Sequence, residues 1–277
     1  MRSGMHIRRA GIVTYLFLAA GAAVAMFPFL WMILNSFKTN REILLTVPPT
    51  FFPKTFYLGG YLKVLFEAPF LRWTLNSLFI AVVTTAAVVF SSALVGYVYA
   101  KFRFSGKKTS FVIILATLMI PFEVIMIPEF LVVSWLGLLN TLSGVMAPSL
   151  VSAFGIFMCR QFCESIPGDL MDAGRIDGAS ELGIFLRIVV PEITPAMSAL
   201  TIFNFMASWN NYVWPLIVIN DVRKMPVSLA ISYFNGIHAV HPSYVMAASV
   251  LVMLPILIVY LIFQRQFVEG LALSGLK

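Results

Sequence analysis

Six long apolar runs, at residues 11–37, 74–100, 109–133, 141–158, 196–219 and 244–263, alternate with short polar stretches along the chain. A helix rises about 1.5 Å per residue, so roughly twenty apolar residues cross about 30 Å of hydrocarbon. Each run is therefore predicted to be a transmembrane helix. The pattern predicts an all-α membrane protein, a single domain over residues 1–277 with six spans. Pro121 and Pro128 interrupt the third run, which must kink or break where protein or a cavity satisfies the freed carbonyls. Glu123 lies at that break, and an ionisable group at membrane depth points to function by default. It can face a solute path or bond to backbone freed at Pro121. Glu129, nearer the span end, is expected to reach the interface. The fifth run places Asn204, Ser208 and Asn211 at i, i+4 and i+7, on one helical face. Polar groups in hydrocarbon must meet another helix or a water-filled path, and both roles stay open for them. Trp73 and Trp135, at span ends, read as interfacial anchors.

The stretch between the fourth and fifth runs, residues 160–195, breaks the pattern. Its acidic residues Asp169, Asp172, Asp177, Glu181 and Glu192 and its prolines Pro167, Pro191 and Pro195 are out of place in so apolar a chain. Residues 169–175 predict a short helix entered after Pro167, because proline is tolerated in a first turn. Asp177-Gly178 signals a turn, since glycine takes a positive φ without steric cost. Ser180 is placed to cap a second helix, with Glu181 in its first turn favoured by the helix dipole. Leu182, Phe185, Ile188 and Val189 give that helix an apolar face until Pro191, which is expected to end it. Ala173, Gly174, Gly178 and Ala179 leave the bend without bulk, so a partner's surface can approach the backbone closely. The polar segment is thus predicted to be a docking surface.

Composition agrees with a membrane assignment: 60% of the 277 residues are hydrophobic and only 11% charged, where soluble domains carry about a quarter. The formal charge of +7 comes from Lys and Arg scattered between apolar runs, which makes them topological determinants and not a nucleic-acid surface. With the N-terminus inside, the nineteen Lys and Arg divide twelve to seven in favour of the cytoplasmic side, and the basic loop at residues 101–108 reinforces this. Both termini and the polar segment are then cytoplasmic. Ala23-Val24-Ala25 is like a signal cleavage site, but the apolar run continues through Trp31 and predicts an uncleaved first span. Cys159 and Cys163, four apart, are expected to be reduced thiols on one cytoplasm-facing helix face. His6, His238 and His241 form no ligand cluster, and no metal is assigned.

The polar segment resembles the cytoplasmic EAA loop of ABC importer permeases. The match is to their carbohydrate-uptake branch, the MalG-like inner-membrane components of binding-protein-dependent transport. Asp172-Ala173-Gly174 stands where Glu-Ala-Ala is usual. Ile176-Asp177-Gly178-Ala179 supplies the family glycine, and Ile188-Val189-Val190-Pro191 the Ile-x-x-Pro ending. Pro195, Trp209-Asn210 and the C-terminal Gln264-Arg265-Gln266-Phe267-Val268-Glu269-Gly270 continue the match, and Met119-Ile120-Pro121-Phe122-Glu123, Ile127-Pro128 and Leu136-Gly137-Leu138-Leu139-Asn140-Thr141 carry it over nearly the whole chain.

The resemblance implies a type I ABC importer permease fold in a bacterial plasma membrane. In such a fold Asp172, Ala173, Gly174, Ile176, Asp177, Gly178, Ala179 and Pro191 belong to the loop that couples to an ATPase. The implied partners are a second, homologous permease, two ATP-binding subunits and an extracytoplasmic solute-binding protein. The solute is expected to be a sugar, a polyol or a glycerol phosphate. The chain has no Gly-x-x-x-x-Gly-Lys-Ser/Thr loop, so no catalytic residue and no cofactor of its own are assigned, and ATP belongs to the partners. Two rival readings lack support. A secondary transporter without an ATPase is expected to show a repeat with paired broken segments, and none is evident. An intramembrane enzyme needs a nucleophile and base, or metal ligands, at membrane depth, but no span contains a histidine and Glu123 has no evident partner.

Overall fold

The computed structural model describes the backbone of residues 3–235 and 241–275 and the side chains of residues 14–235 and 241–261. The side chains of Arg2, His6, Arg8, Arg9 and His238, and of the C-terminal signature at 264–270, lie outside the described residues. The chain divides into two compact units, one formed by the chain up to Ala68 with Ile231–Leu254, the other by Pro69–Ala230 with the chain from Pro255.

In the first unit α1 (Ser3–Ser36) is followed by α2 (Asn40–Leu45), whose first turn is capped by Thr39, and by α3 (Gly59–Leu62), which widens into a π-type turn over Lys63–Glu67. Asn40 pins this stretch to the residues around Ser243: its Oδ1 accepts from the Ser243 amide at 2.9 Å and hydroxyl at 2.7 Å. Lys38 is buried, donates to the Thr50 carbonyl and lies 5.1 Å from the centre of the Trp31 ring. Its desolvation pushes the ammonium pKa down.

The second unit is organised on α4 (Phe70–Lys101). It continues with α5 (Lys107–Thr117) and α6 (Phe122–Trp135), bent by 100° to one another, then α7 (Leu142–Met146) and α8 (Ala153–Ser165), with 44° between the α7 segment and α8. The break between α5 and α6 falls at Pro121, which is extended, while Pro128 is accommodated inside α6. α4 and α8 approach closely because the residues at their crossing are small. A Cβ on Gly96 would lie 2.8 Å from the Arg160 amide nitrogen and from the Cys159 Cβ. Cys159 and Cys163 are therefore fully buried in this seam, with Val88, Tyr97 and Phe185, and do not face the cytoplasm as expected. α8 runs to Ser165, so Arg160 and Glu164, expected in the polar loop, are helical.

The polar segment forms α9 (Gly168–Ile176), α10 (Glu181–Ile184), a π-type turn over Phe185–Val189 and α11 (Val190–Glu192). Pro191 does not end the second helix where expected. It has no N–H for the Arg187 carbonyl and its ring crowds that group, so the helix widens: the Val190 amide reaches back to the Phe185 carbonyl. α12 (Thr194–Trp209) then leaves at 77°. The fifth apolar run is not one helix, for α13 (Val213–Val218) follows a break at Asn211. Pro215 cannot donate to the Asn211 carbonyl, and the Ser228 hydroxyl takes that acceptor at 2.7 Å. α14 (Ala230–Asn235) and α15 (Pro242–Gly275) complete the described chain, α15 extending well past the predicted 244–263. Trp73 is not an interfacial anchor: it is fully buried and its Nε1 donates to the Val222 carbonyl at 2.6 Å. Trp135 is 86% exposed. Among the described residues, Thr14–Ser36, Phe70–Lys101 and Pro242–Leu261 are each long and apolar enough to cross a membrane. The three bent pairs α5/α6, α7/α8 and α10–α11/α12 pass the same test when each is taken together.

Candidate functional site

The bend between α9 and α10 is built by backbone hydrogen bonding around one glycine. Gly178 has φ 77°, its amide donates to the Arg175 carbonyl at 3.1 Å, and the Ala179 amide reaches the Gly174 carbonyl at 2.9 Å. Those two bonds close the last turn of α9 as a Schellman motif, with glycine at the left-handed position. Ser180 then starts α10, its Oγ accepting from the Gly183 amide at 3.1 Å. The result is a rigid elbow with Asp172, Ala173, Ile176, Asp177 and Gly178 all exposed on it.

A side-chain clasp closes the inner side of the elbow. The Arg175 Nη1 donates to the Asp172 Oδ1 at 2.7 Å, and its Nε and Nη2 donate to the two Glu181 oxygens at 2.8 and 3.4 Å. The Tyr97 hydroxyl, from the end of α4, donates to the Glu181 Oε2 at 3.1 Å. Hydrogen bonding to Arg175, with a smaller contribution from Tyr97, holds the Glu181 carboxyl below the usual carboxylate range, and Glu181 and Asp172 raise the Arg175 pKa in return. Exposed pairs of this kind add little net stability, so the clasp chiefly fixes orientation, tying the elbow to α4.

Gly174, the last residue of the Asp-Ala-Gly sequence, faces inward. It is buried, and a Cβ there would lie 2.9 Å from the Ile188 Cδ1, the movable end of a side chain in the π-type turn, so α9 packs closely on that turn and alanine would need only a small shift of Ile188. Gly178 differs: an added Cβ meets nothing within 4 Å. Ile176 is 86% exposed at the tip of the elbow, beside acidic Asp177. Burying so large an apolar side chain against a partner is worth about 1.5–3 kcal/mol. Pro191 lies beyond the π-type turn, exposed and apart from the elbow tip.

The polar residues of the fifth run separate. The Asn204 Nδ2 donates to the Thr85 Oγ1 at 3.2 Å, and the Ser208 Oγ accepts from the Thr84 Oγ1 at 3.1 Å, both across the α12–α4 seam. Asn211 is off the α12 face and lines a cavity of about 310 Å³ with Phe122, Glu129, Ser149 and Trp214. Glu123 is exposed in the first turn of α6 and does not line this cavity. Tyr97 and the Thr84-Thr85 pair carry no distinctive signal in the sequence because they sit in an apolar run with no charged residue beside them. A hydroxyl was the only signal, and its partner lies 84 or more residues away.

Comparison with known proteins puts these features in a wider group. The family of binding-protein-dependent transport system inner membrane components matches residues 92–272, which include the whole elbow and α12. The arabinooligosaccharides transport system permease protein AraQ of Halalkalibacterium halodurans is 36% identical, with 92% of each chain covered. The lactose transport system permease protein LacG of Rhizobium radiobacter is 35% identical over 98% of each chain. The sn-glycerol-3-phosphate transport system permease protein UgpE of Pectobacterium atrosepticum is 33% identical, with 95% of this chain and 96% of the relative covered. Among solved structures, a chain of a bacterial ABC transporter involved in the import of the acidic polysaccharide alginate superposes with a TM-score of 0.83 at 25% identity, covering 96% of this chain and 98% of that one.

Proposed function

The chain belongs to the binding-protein-dependent transport system inner membrane component family, and on that premise we propose that it is a permease subunit of an ATP-driven importer for a sugar or a related polyol or glycerol phosphate. The solute class follows the relatives, which are named for arabinooligosaccharides, lactose and sn-glycerol-3-phosphate. In this reading the three continuous apolar helices and the three bent pairs make six spans, with both termini and the elbow in the cytoplasm of a bacterial cell. A second permease completes the translocation path, a solute-binding protein delivers from outside, and two ATP-binding subunits dock on the elbows of the two permeases. The chain itself hydrolyses nothing and holds no cofactor.

The observation that carries the proposal is the exposed elbow: an apolar tip at Ile176, an open backbone at Gly178 and a clasp to α4. A partner that closes on ATP pulls on the elbow, and the Glu181–Tyr97 contact passes the displacement to α4 and, through the Thr84 and Thr85 bonds, to α12. Such a link needs the partner to bind the two permease states with different affinity. Asn204 and Ser208 serve in this scheme as interhelix contacts, while Asn211 and Glu123 are the groups assigned to the path. Co-purification tests the reading: an ATP-binding subunit should accompany this chain, and its solute-stimulated hydrolysis should require it. A chain that transports solute with no ATP-binding subunit present is a secondary transporter instead.

A further inference from the structure

A cavity of about 660 Å³ opens where α4 ends, α5 begins and α8 passes behind, lined by Tyr99, Phe104, Phe111, Lys107, Lys108 and Arg160 among others. One wall is aromatic, with the Tyr99 ring 5.6 Å from Phe104 and 5.3 Å from Phe111. The other is cationic. The Arg160 guanidinium lies 4.0 Å from the centre of the Phe111 ring, its Nη2 pairs with the Glu164 carboxylate at 2.6 Å, and its buried Nε has no hydrogen-bond partner. Lys107 spends donors on the carbonyls of Phe102 and Ala100, at 2.9 and 3.5 Å, which leaves it one more N–H. Lys108 is exposed and has no acceptor among the described residues. The loop at residues 101–108 holds Lys101, Arg103, Lys107 and Lys108 and no acid.

A guanidinium beside two lysines with donors to spare, all lining one cavity, calls for an oxygen-rich anion. The position decides which anion. The cavity lies at the end of a membrane-spanning helix, at headgroup depth, and its aromatic wall suits the glycerol and upper acyl carbons that a free ion lacks. We propose that this cavity binds the phosphodiester headgroup of an anionic phospholipid. The Lys107 and Lys108 ammonium groups take the phosphate oxygens beside the Arg160 guanidinium, and Tyr99, Phe104 and Phe111 pack against the glycerol end. The inference rests on α4 being a span and not on which side of the membrane its end faces.

Native mass spectrometry of the full chain released from detergent, titrated with phosphatidylglycerol or phosphatidylcholine of the same acyl chains, tests this. Phosphatidylglycerol should be retained at least about fivefold better than phosphatidylcholine. Lys108→Gln should remove about a fivefold share of that preference, since one lysine near a headgroup contributes about that factor. Arg103→Gln removes the same charge from an exposed residue outside the cavity lining and should leave the preference unchanged. Equal retention of the two lipids, or equal loss in the two variants, overturns the proposal, the second by reducing the site to a general basic belt. A third arm adds inorganic phosphate in excess: retained phosphatidylglycerol supports a lipid site, and its displacement by phosphate overturns the lipid assignment.

Discussion

Replacing Gly178 separates a docking role from a folding role, because the structure supplies a matched control. Gly178 has φ 77° and Gly137, in the turn after α6, has φ 70°, and a Cβ added at either meets nothing within 4 Å. An L-residue held in the left-handed region costs about 1–2 kcal/mol at both positions, so the backbone penalty is the same and the chain itself offers no clash at either. That penalty changes a local equilibrium by about 5–30-fold at most and does not remove the protein from the membrane. A partner's surface laid on the elbow has no room for an indole, so Gly178→Trp should lower solute uptake by well over thirtyfold. Membrane yield should stay normal and the ATP-binding subunit should be lost or uncoupled. Gly137→Trp should transport within a few-fold of wild type. Uptake assays in cells, with the yield of each variant and of the bound ATP-binding subunit measured in parallel, decide the matter. Normal uptake by Gly178→Trp, or an equal loss in Gly137→Trp, refutes the reasoning.

Three further experiments probe the scaffold behind the elbow. Gly174→Ala gains up to about 1 kcal/mol of helix propensity while forcing the Ile188 Cδ1 to move from 2.9 Å, so thermal stability should change by less than about 1 kcal/mol, whereas Gly174→Leu should cost about 1–3 kcal/mol. Because Arg175 holds the Glu181 pKa below its ordinary value near 4.3, the clasp is complete at neutral pH and is lost only as the pH falls through that depressed value. An infrared titration of wild type against Glu181→Gln reads the midpoint, and one at or above the ordinary range contradicts the clasp. Asn204→Leu and Thr85→Val should be coupled by about 0.6 kcal/mol and at most about 1.7 in a double-mutant cycle, and strict additivity would show that their 3.2 Å bond does no work.

The elbow was legible in the sequence because its determinants are local. Pro167, the Asp177-Gly178 pair and the Ser180 cap each act within one turn, and the Schellman bonds and the Ser180 cap formed where their residue types predicted. Errors arose where a distant neighbour decided the outcome. Cys159 and Cys163 lie on one face as their spacing requires, but only the packing of α4 against α8 at Gly96 shows that this face is buried. Trp73 has an interfacial position in the sequence, yet its indole is claimed by a carbonyl 149 residues on. Asn211 fits the period of α12 and is removed from it by Pro215, whose missing donor acts four residues upstream. The same rule applied to Pro191 would have foretold a widened turn at Arg187, not a helix end.

The most direct measurement is a photo-crosslink from the elbow tip. A photoreactive residue in place of Ile176, 86% exposed at the bend, should yield one product with the mass of this chain plus an ATP-binding subunit. The same residue in place of Trp135, equally exposed at the end of α6, should yield no such product. An ATP-binding subunit captured from position 135 and not from 176 would mean that the elbow is not where this permease receives its work.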